Sequence, residues 1–147
     1  MKDAGLILRQ KVYERLSGVI TYNNLTISVY DSSSVPAEAE KPYILLSQFN
    51  ATELGEGSKQ SYGQEVSLLI EIYTEFGNSY GGKYACDVIA NQINELMRTR
   101  QSGYLDLSPD WSVIRTLYES SNTLEELTQT GVLVRRLIRY TFKLYEA

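Results

Sequence analysis

A chain of 147 residues with a formal net charge of −4, one cysteine and no histidine fits a single domain spanning 1–147. The missing histidine removes the commonest catalytic base and the commonest transition-metal ligand, and a lone cysteine, Cys86, leaves no internal disulfide. The acidic balance argues against general nucleic-acid binding, which runs on clustered Lys and Arg. Hydrophobic content of 43% and charged content of 22% are ordinary for a soluble globular fold. No apolar run approaches the roughly 18 residues of a membrane helix. The segment from Met1 to Leu16 breaks its apolar run at Arg9, Gln10 and Lys11, unlike a signal peptide. The expected compartment of synthesis is the cytoplasm.

Leu6, Ile7, Leu8, Val12, Tyr13 and Leu16 recur at helical spacing and predict a helix over about 4–17, with Asp3 as N-cap and Gly18 as stop. "NLTISVYD", Asn24 to Asp31, reads as a short edge strand. Ser32 to Pro42 reads as a polar loop, and Tyr43 to Leu54 as the next strand. After a hairpin connection at Gly55 to Gln60, "QEVSLLIEIYTEF" alternates with period two. Val66, Leu68, Ile70, Ile72 and Phe76 face one way; Glu65, Ser67, Leu69, Glu71, Tyr73 and Glu75 face the other.

"GNSYGGKY" separates that strand from a helix predicted over about Lys83 to Thr99, with Ala85, Val88, Ile89, Ile93, Leu96 and Met97 as its apolar stripe. "WSVIRTLYES" reads as a strand and Ser121 to Thr130 as a loop. The C-terminal segment is a long strand, with Val132, Val134, Ile138, Tyr140, Phe142 and Leu144 on one face and Arg135, Arg139 and Lys143 on the other. Side by side and antiparallel, the two long strands would let Glu71 and Glu75 meet Arg139 and Arg135, each pair contributing about 0.2–1 kcal/mol. The fold class expected is α+β: two layers, a mainly antiparallel sheet of four to five strands, and two helices on its apolar face. The charged face is left to water or to a partner.

The spacing Gly77 to Lys83 fits the phosphate-loop pattern, but Tyr84 stands where Ser or Thr would ligate magnesium. No partner acidic strand end accompanies it, and a glycine-rich helix cap accounts for the same residues. Cys86 lacks a histidine to activate it and reads as a small packing residue. Glu125 and Glu126, and Glu38 and Glu40, read as solvated loop carboxylates. Asn24 and Asn50 head acceptor triplets for glycosylation, which carry no meaning without secretion. No catalytic, cofactor or metal residues are predicted, so the expected protein is not an enzyme.

Twelve tyrosines are more informative. Tyr62, Tyr73, Tyr80, Tyr84, Tyr104, Tyr118 and Tyr145 fall on predicted polar faces or in loops, where an apolar ring with a polar tip suits protein contacts. The predicted interface is Glu65, Glu71, Tyr73, Glu75, Arg135, Arg139 and Lys143.

The order of segments resembles the tail completion, or tail terminator, proteins of tailed bacteriophages, which join head to tail. The resemblance rests on a short N-terminal helix, a polar loop ending in "KPYILL", the long strand "EVSLLIEIYTEF", the break "GNSYGG", the helix "YACDVIANQINELM" and the closing "VLVRRLIRYTFKLY". It spans nearly the whole chain by pattern and order, and the family carries no catalytic signature. It implies a protomer of a homo-oligomeric ring, commonly a hexamer, at the head-proximal end of the tail. Such a ring stops tail-tube growth and docks the head connector, while DNA passes through the lumen without specific binding. The implied location is the virion, with host cytoplasm during assembly. The implied partners are the tail tube protein and a connector or portal-associated protein, with no membrane. The loops at Ser32 to Pro42, Gly55 to Gln60 and Ser121 to Thr130 would make contacts along the tail axis. Three other readings stay open: a connector ring on the portal side, a soluble oligomeric adaptor unrelated to phage, and a nucleotide-dependent enzyme using Gly77 to Lys83.

Overall fold

A computed structural model describes residues 2–31, 35–37, 39–54, 62–76, 82–98, 105–129 and 131–146. The elements run α1 (Ala4–Leu16), β1 (Thr21–Tyr22), β2 (Leu25–Thr26), β3 (Ser28–Asp31), β4 (Tyr43–Glu53), β5 (Gly63–Phe76), α2 (Gly82–Met97), β6 (Trp111–Thr128) and β7 (Gly131–Glu146). Five strands form one sheet in the order β3-β4-β5-β7-β6. Only β3 and β4 run parallel; every other neighbouring pair is antiparallel. The fold is α+β, with both helices on one face of the sheet.

Helix α1 starts where the Asp3 side chain accepts from the Gly5 N–H at 2.9 Å. It stops before Gly18, whose φ of +77° is the left-handed conformation that glycine adopts without strain. Its buried stripe is Ala4, Leu8, Val12 and Leu16. Leu6 and Tyr13, read from the sequence as part of that stripe, are instead 67% and 39% exposed. The 3.6-residue period carries them round to the outer side.

The core lies between the helices and the inner face of the sheet. Ile44 and Leu46 of β4, Val66, Leu68, Ile70 and Ile72 of β5, and Ile138, Tyr140, Phe142 and Leu144 of β7 meet Ile89, Ile93 and Met97 of α2. Full burial of each aliphatic side chain contributes about 1.5–3 kcal/mol. Polar links fix the helices. Gln92 of α2 accepts from the Thr21 N–H at 3.0 Å and donates to the Thr21 carbonyl at 2.7 Å. Arg15 of α1 donates to the Leu96 carbonyl at 3.2 Å.

Two sequence readings are corrected here. The segment 121–128, read as a loop, is the second half of β6, which pairs with β7 from Trp111↔Glu146 to Thr128↔Gly131. Its polar residues lie on an edge strand with two wet sides, and pairing to β7, not apolar alternation, makes it a strand. Glu125 and Glu126 are therefore strand residues. Asn24, read as the start of a strand, lies with Asn23 in the tight turn that joins β1 to β2.

Candidate assembly surface

Odd-numbered residues of β5 and β7 make up the sheet face that the helices leave open. Strand alternation places all seven residues of the predicted interface on it: Glu65, Glu71, Tyr73 and Glu75 from β5, and Arg135, Arg139 and Lys143 from β7. The adjacency and antiparallel sense of the two strands are as the sequence predicts; the ion pairs are not. In the observed register Glu71 lies opposite Leu137 and Glu75 opposite Leu133, while Arg135 faces Tyr73 and Arg139 faces Leu69.

Glu71 therefore takes Arg135 on the diagonal, Oε1 to Nη2 at 2.7 Å. Glu75 takes Lys41 from the segment entering β4, at 2.9 Å. Arg139 donates to Ser67 Oγ at 2.6 Å and to Gln48 Oε1 at 3.3 Å. Lys143 lies opposite Glu65, its Nζ 5.9 Å from the Tyr145 ring centre. The face is not a bare row of charges: Glu71 is only 7% exposed, and its charge is matched inside the sheet surface.

Beside the ion pair runs an aromatic ladder that crosses four strands. Tyr30 of β3 meets Tyr43 of β4 edge to face at 5.6 Å, and Tyr43 stacks on Tyr73 of β5 at 4.9 Å. The Arg135 guanidinium of β7 then lies 5.2 Å from the centre of the Tyr73 ring. By register, Leu124 of β6 completes the row, and it is 47% exposed. Burial pushes the Tyr43 and Tyr73 phenols up from their ordinary pKa, and the neighbouring Glu71 charge adds to it. The hydrogen bond to Glu71 raises the Arg135 guanidinium further. The ladder and its flanking leucines, half-buried on an open face, match the composition of interface centres, where Tyr and Arg are enriched.

The far half of the same face is more polar. Asn50, Thr52, Glu65, Ser67, Leu117, Glu119, Arg139 and Thr141 line a shallow groove across β4, β5, β7 and β6. Thr141 donates to Glu119 Oε2 at 2.5 Å within it.

Sequence reading missed Tyr30 and Tyr43 in the ladder. The signal is Tyr43 directly opposite Tyr73, with Tyr30 on the diagonal across β3 and β4, and it is visible only once the register is known. It also missed Arg136, which shares the helix-side face of β7 and pairs with Asp87 of α2 at 2.5 Å and with Ser121 Oγ at 2.9 Å. Tyr118, assigned to a polar face, packs against the core, edge to face with Tyr140 at 5.6 Å. Tyr62 and Tyr84 are exposed and Tyr145 is half-buried; Tyr80 and Tyr104 lie outside the described residues.

The remaining sequence candidates resolve more simply. Cys86 is buried, with Sγ 3.4 Å from Thr74 Oγ1, and burial raises its thiol pKa. It is a packing residue. The phosphate-loop pattern falls mostly on residues 77–81, outside those described, and Lys83 pairs with Glu125 at 2.9 Å. The proposed axial loop at 55–60 lies outside the described residues, as do residues 32–34 and Glu38 of the loop at 32–42. Among the described residues no group of three or more His, Cys, Asp or Glu side chains is placed to hold a metal ion. No described helix is long and apolar enough to cross a membrane.

The architecture defines the class first: a two-layer α+β domain with one sheet face open. Among solved structures it is similar to a chain in the virion of a native gene transfer agent particle, with a TM-score of 0.70 and 15% identity over 100% of both chains. No family model and no curated protein matches the sequence.

Proposed function

We propose that this chain is a structural protein of a phage-like particle, whose function is carried by assembly and not by chemistry. Within that class the reading favoured is a tail terminator: a ring, commonly of six copies, at the head-proximal end of the tail. It ends tube growth and joins the tail to the head connector, with DNA passing through the lumen. The observation that carries the proposal is the end-to-end likeness of fold to a chain of the gene transfer agent virion, at full coverage of both chains. The segment order set out above supports the narrower assignment to the terminator. A net charge of −4 suits a lumen that DNA must traverse without being held.

On this reading the Tyr30–Tyr43–Tyr73–Arg135 ladder, with Glu65, Glu71, Glu75, Arg139 and Lys143, is an assembly surface. The test is light scattering behind size exclusion over a concentration series, alone and with purified tail tubes, with negative-stain images of any large peak. A sixfold ring is the expected result, and a twelvefold ring would move the assignment to a connector. A chain that stays monomeric under every condition would overturn the ring. Arg139→Glu is expected to impair ring formation or tail joining with the circular dichroism spectrum unchanged. Undiminished assembly by that variant would remove the open face from the interface.

A further inference from the structure

The sheet has two edges of unequal length. Strand β3 is four residues long, whereas β6 runs for 18 residues and pairs on one side only, with β7. Helix α1 packs over β3, β4 and β5, and α2 over β5 and β7, so neither is centred over β6. Among the described residues the outer main-chain groups of β6 therefore meet no strand, and such a row is a template for pairing with another chain. From Trp111 to Thr128 the strand carries neither the lysine nor the proline that commonly blunts an edge. It carries instead three exposed large apolar residues, Ile114, Leu124 and Leu127, the last 86% exposed.

Two bulges interrupt its pairing to β7, between Val113 and Arg115 and between Tyr118 and Ser120. The second re-phases the strand. Before it, Thr116 and Tyr118 lie on the helix side, opposite Phe142 and Tyr140; after it, Thr123 and Glu125 do, opposite Arg136 and Val134. On the open side stand Arg115 and Leu117 before the bulge, and Leu124 and Glu126 after it. A regular strand can meet its own copy with matching faces only about a residue, whereas a strand re-phased once can do so about a peptide bond. About the Ser120–Ser121 bond, Leu117 of one copy falls opposite Leu124 of the other and Arg115 opposite Glu126, both pairs on the open side. Thr116 falls opposite Glu125 and Tyr118 opposite Thr123, both on the helix side. Ile114, left without a partner by the first bulge, comes level with Leu127. A shift of two residues either way loses these matches: Arg115 then meets Leu124 or Thr128, and Leu117 meets Asn122 or Glu126.

We infer that β6 pairs antiparallel with β6 of a second copy about the Ser120–Ser121 bond, so that one sheet runs through a two-fold dimer. A second copy is the occupant because the edge is complementary to itself in charge, in apolar surface and in the face each side chain takes. Arg115 and Glu126 are exposed, and neither belongs to an ion pair among the described residues. Arg115 also lies opposite Lys143, a like charge that a facing carboxylate offsets. The contact is isologous and closes on itself. It thus goes beyond the ring reading and neither builds nor forbids a head-to-tail ring, which uses other patches.

The test combines light scattering with disulfide cross-linking of the full chain, whose own Cys86 is buried. Residues directly opposite in an antiparallel pair have Cα atoms about 4.5–5.5 Å apart, within disulfide reach. Under mild oxidation, a chain carrying both Leu117→Cys and Leu124→Cys is expected to give a covalent dimer and nothing larger. Each single variant should stay monomeric on a denaturing gel, and an equimolar mixture of the two should link. Arg115→Glu and Glu126→Arg should each raise the dimer dissociation constant about tenfold, since each places two like-charged pairs across the axis. The chain carrying both changes should recover the original constant, with the circular dichroism spectrum unchanged throughout. Self-linking of either single cysteine variant would show another register and overturn the inference, as would charge reversals without effect. Rings without a 117-to-124 link would overturn it and leave the ring standing. Dimers with that link that form no ring, alone or with tail tubes, would support it and overturn the ring. A chain monomeric at every concentration would overturn it and leave the edge to a partner of another kind.

Discussion

The Arg135 Nη2 lies 2.7 Å from Glu71 Oε1, and the Tyr73 hydroxyl donates to the same oxygen at 3.3 Å, so a carboxylate only 7% exposed is held on the sheet's otherwise open face. Removing the cation strands the anion. Arg135→Ala is expected to lower stability by about 1–3 kcal/mol. That is below the value for a fully buried pair, because the Arg135 side chain remains 33% exposed. Glu71→Gln, which leaves an amide able to hydrogen-bond, should cost less. Urea midpoints at constant slope measure both. If Arg135→Ala proves no worse than Glu71→Gln, the carboxylate does not depend on its partner.

The buried thiol of Cys86 and the buried phenol of Tyr140 both have pKa values raised by burial. Each binds its proton more tightly folded than unfolded. The stability they contribute is therefore complete below the unfolded thiol value of about 8.5 and is lost as the pH rises through the folded values. Denaturation midpoints should fall above about pH 9, and Cys86→Ala should flatten the first part of that fall. At pH 8 an aromatic disulfide reagent should label Cys86 slowly in the native protein and rapidly in urea. Native labelling at the rate of a free thiol would contradict the burial.

The turn between β1 and β2 places Asn23 at φ +50° and Asn24 at φ +62°, with Tyr22 paired to Leu25 across it. These are the left-handed values that a two-residue hairpin of this hand requires, and asparagine tolerates them better than most residues. Replacing either by alanine should cost about 1 kcal/mol, while Asn24→Gly should be neutral or slightly stabilising. Thermal midpoints of these three single variants decide it. Equal midpoints for alanine and glycine would rule out strain at the turn.

Much of the fold was legible from the chain. The period-two alternation of β5 and β7 and the stripe of α2 state which faces are apolar, because burial must follow the geometry of the element that carries it. Asp3 and Gly18 mark the ends of α1 through local hydrogen bonding and φ alone. The second half of β6 was not legible, since an edge strand wet on both sides has no alternation to read. Leu6 and Tyr13 show the same limit from the other side: helical spacing admits an apolar residue without saying that it is buried.

What the sequence by itself determined, then, is an acidic chain without histidine, its element order, and the set of residues on the open sheet face. Each of these is local, set by composition or by the period of one element. Which charges meet was decided only by tertiary structure. The β5–β7 register gives Glu71 to Arg135 and leaves Arg139 to Ser67 and Gln48, because a two-residue displacement keeps every side chain on its face while changing every partner. The same register aligns Tyr43, Tyr73 and Arg135 directly across β4, β5 and β7, and Tyr30 of β3 joins them on the diagonal to complete the ladder. No single strand contains that ladder, so no reading of single strands could find it.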